Sequence, residues 1–121
     1  MKLKAALIVG SLMAVFSAST FASDAEDQHI IAAAGKNVVT IAHASKLADE
    51  TAVSVTGTIV REVKHEHYEL KDNSGTIIVD IDRDLATPAQ LKPGTKVRVY
   101  GEVDTHRVKA TDIDAVKVDI L

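Results

Sequence analysis

The chain has 121 residues, no cysteine and a formal net charge of −3, and only 3% of its residues are aromatic. A domain of this size can bury a core of its own, but without cysteine it has no disulfide to stabilise it. The basic residues are scattered singly among more numerous acidic ones. This balance argues against a nucleic-acid partner, because such binding needs a basic face that displaces counterions from phosphates.

The first residues have the pattern of an export signal. Lys2 and Lys4 precede an apolar run from Ala5 to Phe16, and Thr20-Phe21-Ala22 ends on the small residue that signal peptidase requires. Residues 1–22 are therefore predicted to be a cleaved signal peptide, which gives a periplasmic protein with no membrane span after processing. Removal of the two lysines changes the net charge from −3 to −5.

Residues 23–37 are polar at first and then rich in alanine. They are predicted to form a flexible leader that becomes partly ordered near Ile30 and Ile31. The folded domain is predicted to run from residue 38 to residue 121.

A short helix is predicted at the start of this domain, over Ile41–Ala48. Its apolar residues recur at helical spacing, and Thr40 or Asn37 is placed to cap its first turn.

Five strands follow, predicted from period-two alternation of apolar and polar residues. Their predicted ranges are 51–63, 65–71, 76–82, 97–103 and 112–120. Asp72-Asn73-Ser74-Gly75 forms the turn of a hairpin between the second and third strands. The pair Ile59-Val60 breaks the alternation, as a β-bulge would. The residues predicted to point inward include Val55, Ile59, Leu70, Val79, Val97, Val99 and Val116.

This order of elements predicts an all-β fold, a five-stranded OB-fold Greek-key barrel with a short N-terminal helix. An SH3-like barrel with a similar number of strands is the main alternative. The long segment between the third and fourth strands, residues 83–92, favours the OB-fold, which places its helix at that point. Gly57 and Gly101 interrupt strands that must coil to close a barrel.

Several blocks of the sequence resemble the bacterial OB-fold (BOF) family, the YgiW/YdeI group of periplasmic stress-tolerance proteins. The blocks are Gly57-Thr58-Ile59, Tyr68-Glu69-Leu70-Lys71-Asp72, Ser74-Gly75-Thr76-Ile77, Val79-Asp80-Ile81-Asp82 and Gly101-Glu102-Val103-Asp104. The resemblance implies an OB-fold, a periplasmic address and a role in tolerance to envelope or oxidative stress. It implies no catalytic residues and no cofactor.

The most prominent polar feature is the row Asp80, Asp82 and Asp84. If the third strand continues through these residues, their carboxylates lie on one face, about 7 Å apart at each step. Such a row can hold a hard cation through oxygen ligands, or it can be a solvated face that keeps the strand edge from pairing. It does not match a calcium-binding loop, because Leu85 and Leu91 stand where that loop needs glycine and glutamate.

His65 and His67 are a second candidate site, because alternate residues of a strand point the same way and two imidazoles can chelate zinc, copper or nickel. Without a third ligand the pair forms a weak site, and an exposed pair of surface histidines is the alternative interpretation. Tyr68 is predicted to face the core and Tyr100 to face outward.

The sequence contains no constellation typical of an enzyme. It predicts a non-enzymatic binding module whose partner is a small molecule, a cation or a periplasmic or outer-membrane protein. The ligand face of an OB-fold is formed by its second and third strands and by neighbouring loops. The candidate ligand-binding residues on that face are Asp80, Asp82, Tyr100, Asp104 and Arg107.

Overall fold

The computed structural model describes residues 25–121, so the predicted signal peptide over residues 1–22 lies outside the described residues. Helix α1 covers residues 25–35, and helix α2 covers Ile41–Ala44. The strands are β1 (Ala52–Lys64), β2 (His67–Asp72), β3 (Gly75–Asp80), β4 (Lys96–Asp104) and β5 (Asp112–Ile120). In this described part of the chain, neither helix has the length and apolar character needed to cross a membrane.

The five strands close into a barrel in the order β1-β2-β3-β5-β4, with β4 pairing back to β1. The β3–β5 pair is parallel and joins Ile78–Asp80 to Asp112–Asp114, whereas the other four pairs are antiparallel. This is the predicted five-stranded OB-fold barrel, and the predicted bulge near Ile59-Val60 is present as a register shift between Ile59 and Arg61.

The inside of the barrel is filled by the apolar residues of the alternating strands. Six of the seven residues named as inward-facing are fully buried, and Tyr68 is buried with them, as predicted. The connection between β3 and β4 forms turns, and its Ala86 and Leu91 are buried against the barrel. The segment at which an OB-fold places its helix is thus made of turns in this protein.

The prediction for Val116 is wrong, because β5 contains a bulge that the sequence pattern does not show. Tyr100 pairs with Lys117 and Gly101 with Ala115, so Val116 has no partner of its own on β4. The extra residue changes the alternation of β5. Ala115 is therefore buried, and Val116 is only half-buried.

Residues 25–35 form a helix where the sequence analysis expected a flexible leader. Alanine has the highest helix propensity, and Ala34 is completely buried. After the helix, the Asn37 side-chain amide donates to the Ala52 carbonyl oxygen at 2.9 Å, and Val38 forms a bridge with Ser54. The segment after α1 is thus hydrogen-bonded to the backbone edge of β1.

Helix α2 is shorter than the predicted Ile41–Ala48, but its cap is the predicted one. Thr40 Oγ1 accepts a hydrogen bond from the His43 backbone N–H. The Ile41 N–H donates to Asp72 Oδ2 at 3.0 Å, so the hairpin turn also satisfies the start of this helix. These contacts attach α2 to the hairpin between β2 and β3.

Candidate functional site

Three neighbouring strands, β3, β5 and β4, place acidic side chains on one outward-facing surface of the barrel. Asp114 of β5 pairs with Asp80 of β3 on one side and with Glu102 of β4 on the other. Two residues along the strands, Asp104 pairs with Asp112. Because residues two apart on a strand point the same way, these five carboxylates share one surface, which we call the acidic face.

A cleft of about 160 Å³ opens at one end of the acidic face. Its lining residues are Asp49, Glu50, Glu102, Val103, Asp104 and Asp114. All of them except the valine carry a carboxylate, and none is basic. We call this feature the acidic cleft, and such a concentration of one charge in a concave site attracts cations.

Backbone contacts attach the segment before β1 to the end of β4 and so form one wall of the acidic cleft. Glu50 has a φ of 66°, a left-handed conformation that is unusual for a residue with a side chain. Its N–H donates to the Val103 carbonyl oxygen at 2.7 Å, and the Val103 N–H donates to the Thr51 carbonyl oxygen. The Thr105 N–H donates to Asp49 Oδ1 at 2.9 Å. The side chains of this wall are therefore positioned by hydrogen-bonded backbone.

The pKa of Glu102 is raised above its usual value. Burial is the largest cause, and the charges of Glu50 and Asp114 raise the pKa further, followed by those of Glu26 and Asp49. Glu26 belongs to α1, so this helix adds negative charge near the acidic cleft. In this setting the folded barrel holds Glu102 as a carboxylate at a cost in free energy.

The pKa of Asp114 is also raised. Burial is again the largest cause, and the charges of Asp80, Asp104 and Asp112 add to it, whereas His67 acts in the opposite direction. The two central carboxylates of the acidic face are therefore repelled by their neighbours, and a bound cation would relieve that repulsion.

A histidine lies between two of these carboxylates. His106 Nε2 is 3.2 Å from Asp112 Oδ2 and 3.6 Å from Asp104 Oδ2. Within residues 25–121, this trio is the group of three histidine or acidic residues whose ligand atoms lie within 4.8 Å of one another.

A larger groove of about 370 Å³ lies over β3, between the segment that follows α2 and the loop that precedes β5. Its lining residues are Ser45, Glu69, Thr76, Ile77, Ile78, Ala110 and Thr111. β3 pairs with β5 only from Ile78 onward, so residues 75–77 have no partner strand on that edge among residues 25–121. The groove is more apolar than the acidic cleft and contains a single carboxylate.

Comparison with known proteins agrees with this architecture. The model of the family described as bacterial OB fold (BOF) protein matches residues 15–120, which is most of the chain. The chain belongs to the BOF family. The expected resemblance is therefore confirmed, and with it the OB-fold.

Two relatives in the BOF family have similar levels of identity. The calcium-regulated OB-fold protein CarO of Pseudomonas aeruginosa is 36% identical over 80 residues, which is 65% of this chain and 69% of CarO. Protein YgiW of Escherichia coli K12 is 36% identical over 84 residues, which is 69% of this chain. The match spans 60% of YgiW, less than two thirds of that protein.

Solved structures show the same fold. The structure of the hypothetical protein ygiW from E. coli superimposes with a TM-score of 0.64 at 34% identity, over 70% of this chain and 90% of that one. The Stn1–Ten1 complex of S. pombe matches with a TM-score of 0.55 at 13% identity, over 69% of this chain and 74% of that one. At that identity the likeness shows the fold alone.

The BOF barrel does not present Asp80, Asp82 and Asp84 as a row on one strand. β3 ends at Asp80, and Asp82 lies in the turn that follows, where its Oδ1 accepts a hydrogen bond from the Asp84 N–H. Aspartate is common in such turns, because its carboxylate accepts a hydrogen bond from a backbone N–H two residues later. The alternation of aspartates in the sequence therefore continues past the end of the strand. Of the three, Asp80 belongs to the acidic face.

His65 and His67 are also not on one strand. β1 ends at Lys64, His65 and Glu66 form the turn, and β2 begins at His67. The His65 side chain is 77% exposed. His67 Nδ1 is 2.8 Å from the carbonyl oxygen of His65, and its Nε2 is 3.8 Å from Asp80 Oδ2. The geometry therefore joins His67 to Asp80 rather than to the imidazole of His65.

Tyr100 faces outward, as predicted, but its ring has neighbours. Lys117 Nζ lies 4.9 Å from the ring centroid, a cation–π contact. A Cβ atom added at Gly35, the end of α1, would lie 4.0 Å from Cε2 of the ring, so the helix ends close to Tyr100. Arg107 is exposed in the loop between β4 and β5, next to His106. Of the predicted ligand-binding residues, Asp104 lines the acidic cleft and Asp80 belongs to the acidic face.

Three acidic residues of the acidic face were not predicted as ligands from the sequence: Glu102, Asp112 and Asp114. Their signal is present as Gly-Glu-Val-Asp in β4 and Asp-Ile-Asp in β5, where alternate acidic residues share a face. Sequence alone did not show that the two motifs lie side by side, because that requires the register of β4 against β5. Asp49 and Glu50 come from a connection whose position depends on tertiary contacts.

Proposed function

We propose that this protein is a non-enzymatic OB-fold binding module whose acidic cleft binds a divalent cation, with calcium as the first candidate. The observation that supports the proposal is the acidic cleft itself, in which five carboxylates meet without a basic residue. The relative CarO is described as calcium-regulated, and that description of a BOF protein favours calcium among the divalent cations.

The chemistry of the acidic cleft suits a hard cation. Calcium takes about six to eight oxygen ligands at roughly 2.3–2.6 Å, and accepts carboxylates, carbonyls and water in flexible geometry. The acidic cleft offers carboxylates from three separate segments of the chain, and its volume leaves room for water ligands. The burial and repulsion that raise the pKa values of Glu102 and Asp114 would be offset by a bound dication.

Calorimetric titration of chelator-treated protein tests this proposal. Calcium is expected to bind with saturation, and the double variant Glu102→Gln, Asp114→Asn is expected to weaken binding about tenfold or more, because affinity depends on the number of charged ligands. The charge-matched control carries Asp82→Asn and Asp119→Asn, which remove two carboxylates outside the acidic cleft: Asp82 lies in the turn after β3, and Asp119 pairs with Arg98 towards the far end of β5. Equal affinities for the parent and the double variant would contradict the proposal.

A periplasmic location and a contribution to envelope or oxidative stress tolerance remain part of the proposal. The support for export is the basic, apolar and small-residue pattern of residues 1–22. Intact mass of the protein from a periplasmic fraction is expected to show a chain that begins at Ser23. A chain that retains Met1 in the membrane fraction would contradict export with cleavage.

The groove over β3 favours a second candidate function, the binding of a small molecule or an extended segment of an envelope protein. The supporting observation is the stretch 75–77 of β3 that lacks a partner strand beside an apolar wall. An extended peptide can add to such an edge through main-chain hydrogen bonds. Ile78 is half-buried and lines the groove. Its replacement by lysine is expected to abolish binding of such a partner, whereas calcium binding persists.

A further inference from the structure

We propose that Asp104, His106 and Asp112 form a separate site for a borderline transition metal, with zinc as the probe. The inference deepens the proposed function and rests on it in one respect, since Asp104 lines the acidic cleft and also belongs to this trio. It differs in its requirement for a nitrogen ligand, which a calcium site does not use.

Two of the three distances within the trio match those between ligands of a tetrahedral metal, and the third, between the two carboxylate oxygens, is within 4.8 Å. With zinc–nitrogen and zinc–oxygen bonds of about 2.0–2.1 Å, two ligand atoms of a tetrahedral site lie roughly 3.4 Å apart. His106 Nε2 is 3.2 Å from Asp112 Oδ2 and 3.6 Å from Asp104 Oδ2. A metal ion placed among the three atoms would therefore need only small side-chain movements to reach its bond lengths.

The backbone holds the two carboxylates in place before any metal arrives. Asp104 is the last residue of β4 and Asp112 the first residue of β5, and they are direct partners in the antiparallel ladder. His106 follows β4 by two residues, and the intervening Thr105 is tied to Asp49 by a hydrogen bond of 2.9 Å. A site attached to paired strands loses little conformational entropy when it binds a metal.

The three side chains of the trio differ in solvent exposure, and one side of the site is open to solvent. The side chain of Asp112 is 11% exposed and that of His106 is 23% exposed, whereas that of Asp104 is 50% exposed. The protein thus covers the site from the Asp112 side, and solvent reaches it beside Asp104. Three protein ligands with a fourth position open to water make up the common arrangement of an accessible zinc site.

The ligand types separate this site from the acidic cleft. An imidazole nitrogen favours zinc, copper, nickel and cobalt, whereas carboxylates and carbonyls alone favour calcium and magnesium. His106 is therefore the residue that selects the metal. The alternative that the experiment must separate is a metal-free contact, in which the His106 imidazole lies between the two carboxylates and binds no ion.

The experiment compares histidine variants in the chelator-treated protein. Zinc affinity is measured against a competing chromophoric chelator, and cobalt is used as an absorbing substitute whose visible bands report the ligand geometry. The expected result is one zinc per chain, with an affinity that falls about 100-fold or more in His106→Ala. His65→Ala is the matched control, because its side chain is 77% exposed and lies outside the trio, and its affinity is expected to equal that of the parent.

Two further measurements keep the outcome decisive. In the unaltered protein, zinc is expected to shift the NMR signals of the His106 imidazole, which tests the site even if a variant fails to fold. Glu102→Gln is expected to weaken calcium and to leave zinc unchanged, so failure of the calcium proposal and failure of this one give different results. Zinc binding that survives His106→Ala, zinc signals confined to His65 and His67, or the absence of zinc binding would each overturn the inference.

Discussion

Asp104 and Asp112 face each other as direct partners across β4 and β5, one at the end of its strand and the other at the beginning of the next. Like charges directly opposite on a sheet are destabilising, so the pair is an unfavourable feature of the isolated barrel. The Nε2 atom of His106 lies within 3.6 Å of a carboxylate oxygen of each. The pair thus lowers the stability of the isolated barrel, and a cation bound beside the two carboxylates would offset that loss.

We expect Asp114→Asn to stabilise the protein at neutral pH when cations are removed by a chelator. The folded state raises the pKa of Asp114, chiefly by burial, so the folded protein binds more protons than the unfolded chain in the pH range just above the usual aspartate value. Stability due to this group therefore rises as pH falls through the raised pKa and is lowest at neutral pH. Thermal melts at neutral and at acidic pH check this, since the advantage of the variant should disappear in acid. A variant less stable than the parent at neutral pH would contradict the electrostatic description.

Asp80→Asn and Asp82→Asn are expected to behave differently, although the two residues are neighbours in one acidic motif. Asp80 pairs with Asp114 on the acidic face, whereas Asp82 lies in a turn and accepts a hydrogen bond from the Asp84 N–H. Calcium titration should show weaker binding for the first variant and parental binding for the second. Stress tolerance in cells is expected to follow the same order. Equal calcium affinities of the two variants would contradict the assignment of the functional surface to the acidic face. Weaker binding in Asp82→Asn alone would assign it to the turn.

Asp72→Asn is expected to destabilise the fold by about 1–3 kcal/mol at neutral pH, because a charged acceptor of several hydrogen bonds is lost. Burial by itself would raise the pKa of Asp72, but hydrogen bonds from Ser74, Ile41 and Gly75 outweigh it and lower the pKa. This stabilisation is present above the usual aspartate pKa and is lost as pH falls through the lower folded value. Urea denaturation of both proteins over this pH range measures it, and a constant difference down to strongly acidic pH would contradict the assignment.

Val79→Ala is expected to cost about 2 kcal/mol, as for other buried aliphatic side chains. The Val79 side chain is completely buried inside the barrel. Val116→Ala is the matched comparison, because its residue lies in the bulge of β5 and is only half-buried, and it is expected to cost about 1 kcal/mol or less. Denaturant melts of both variants decide this. Equal losses would mean that β5 has the register first expected from its sequence.

The barrel was predictable from the sequence because its strands keep a strict alternation in which apolar residues face one way. This holds for the strands around Val55 and Val79, and the hairpin turn at Asp72 was correct for the same local reasons. The alternation failed where one extra residue entered a strand. At Val116 the bulge is defined by the register of β5 against β4, which the residue pattern of β5 alone does not specify.

The acidic cleft was harder to predict than the barrel because its residues come from three separate segments. Asp104 was selected from its own strand, but its partner Asp112 is identified by the register of β4 against β5. Glu50 contributes through a left-handed backbone conformation that no local motif encodes. Helix α1 was not predicted for a different reason: residues 23–37 begin with polar residues, and this start outweighed the helix propensity of the alanines that follow. The contact of Asn37 with β1 is a tertiary contact.

The most direct test of the central claim is a calcium titration followed by two-dimensional NMR of the amide groups. Binding in the acidic cleft predicts saturable shifts that begin at Asp49–Glu50, at Glu102–Asp104 and at Asp112–Asp114, the segments that meet there. The amides of the groove over β3, such as that of Thr76, are expected to move little. Saturable shifts confined to the groove, or no saturable shifts on addition of calcium, would contradict the claim that the acidic cleft is the functional site.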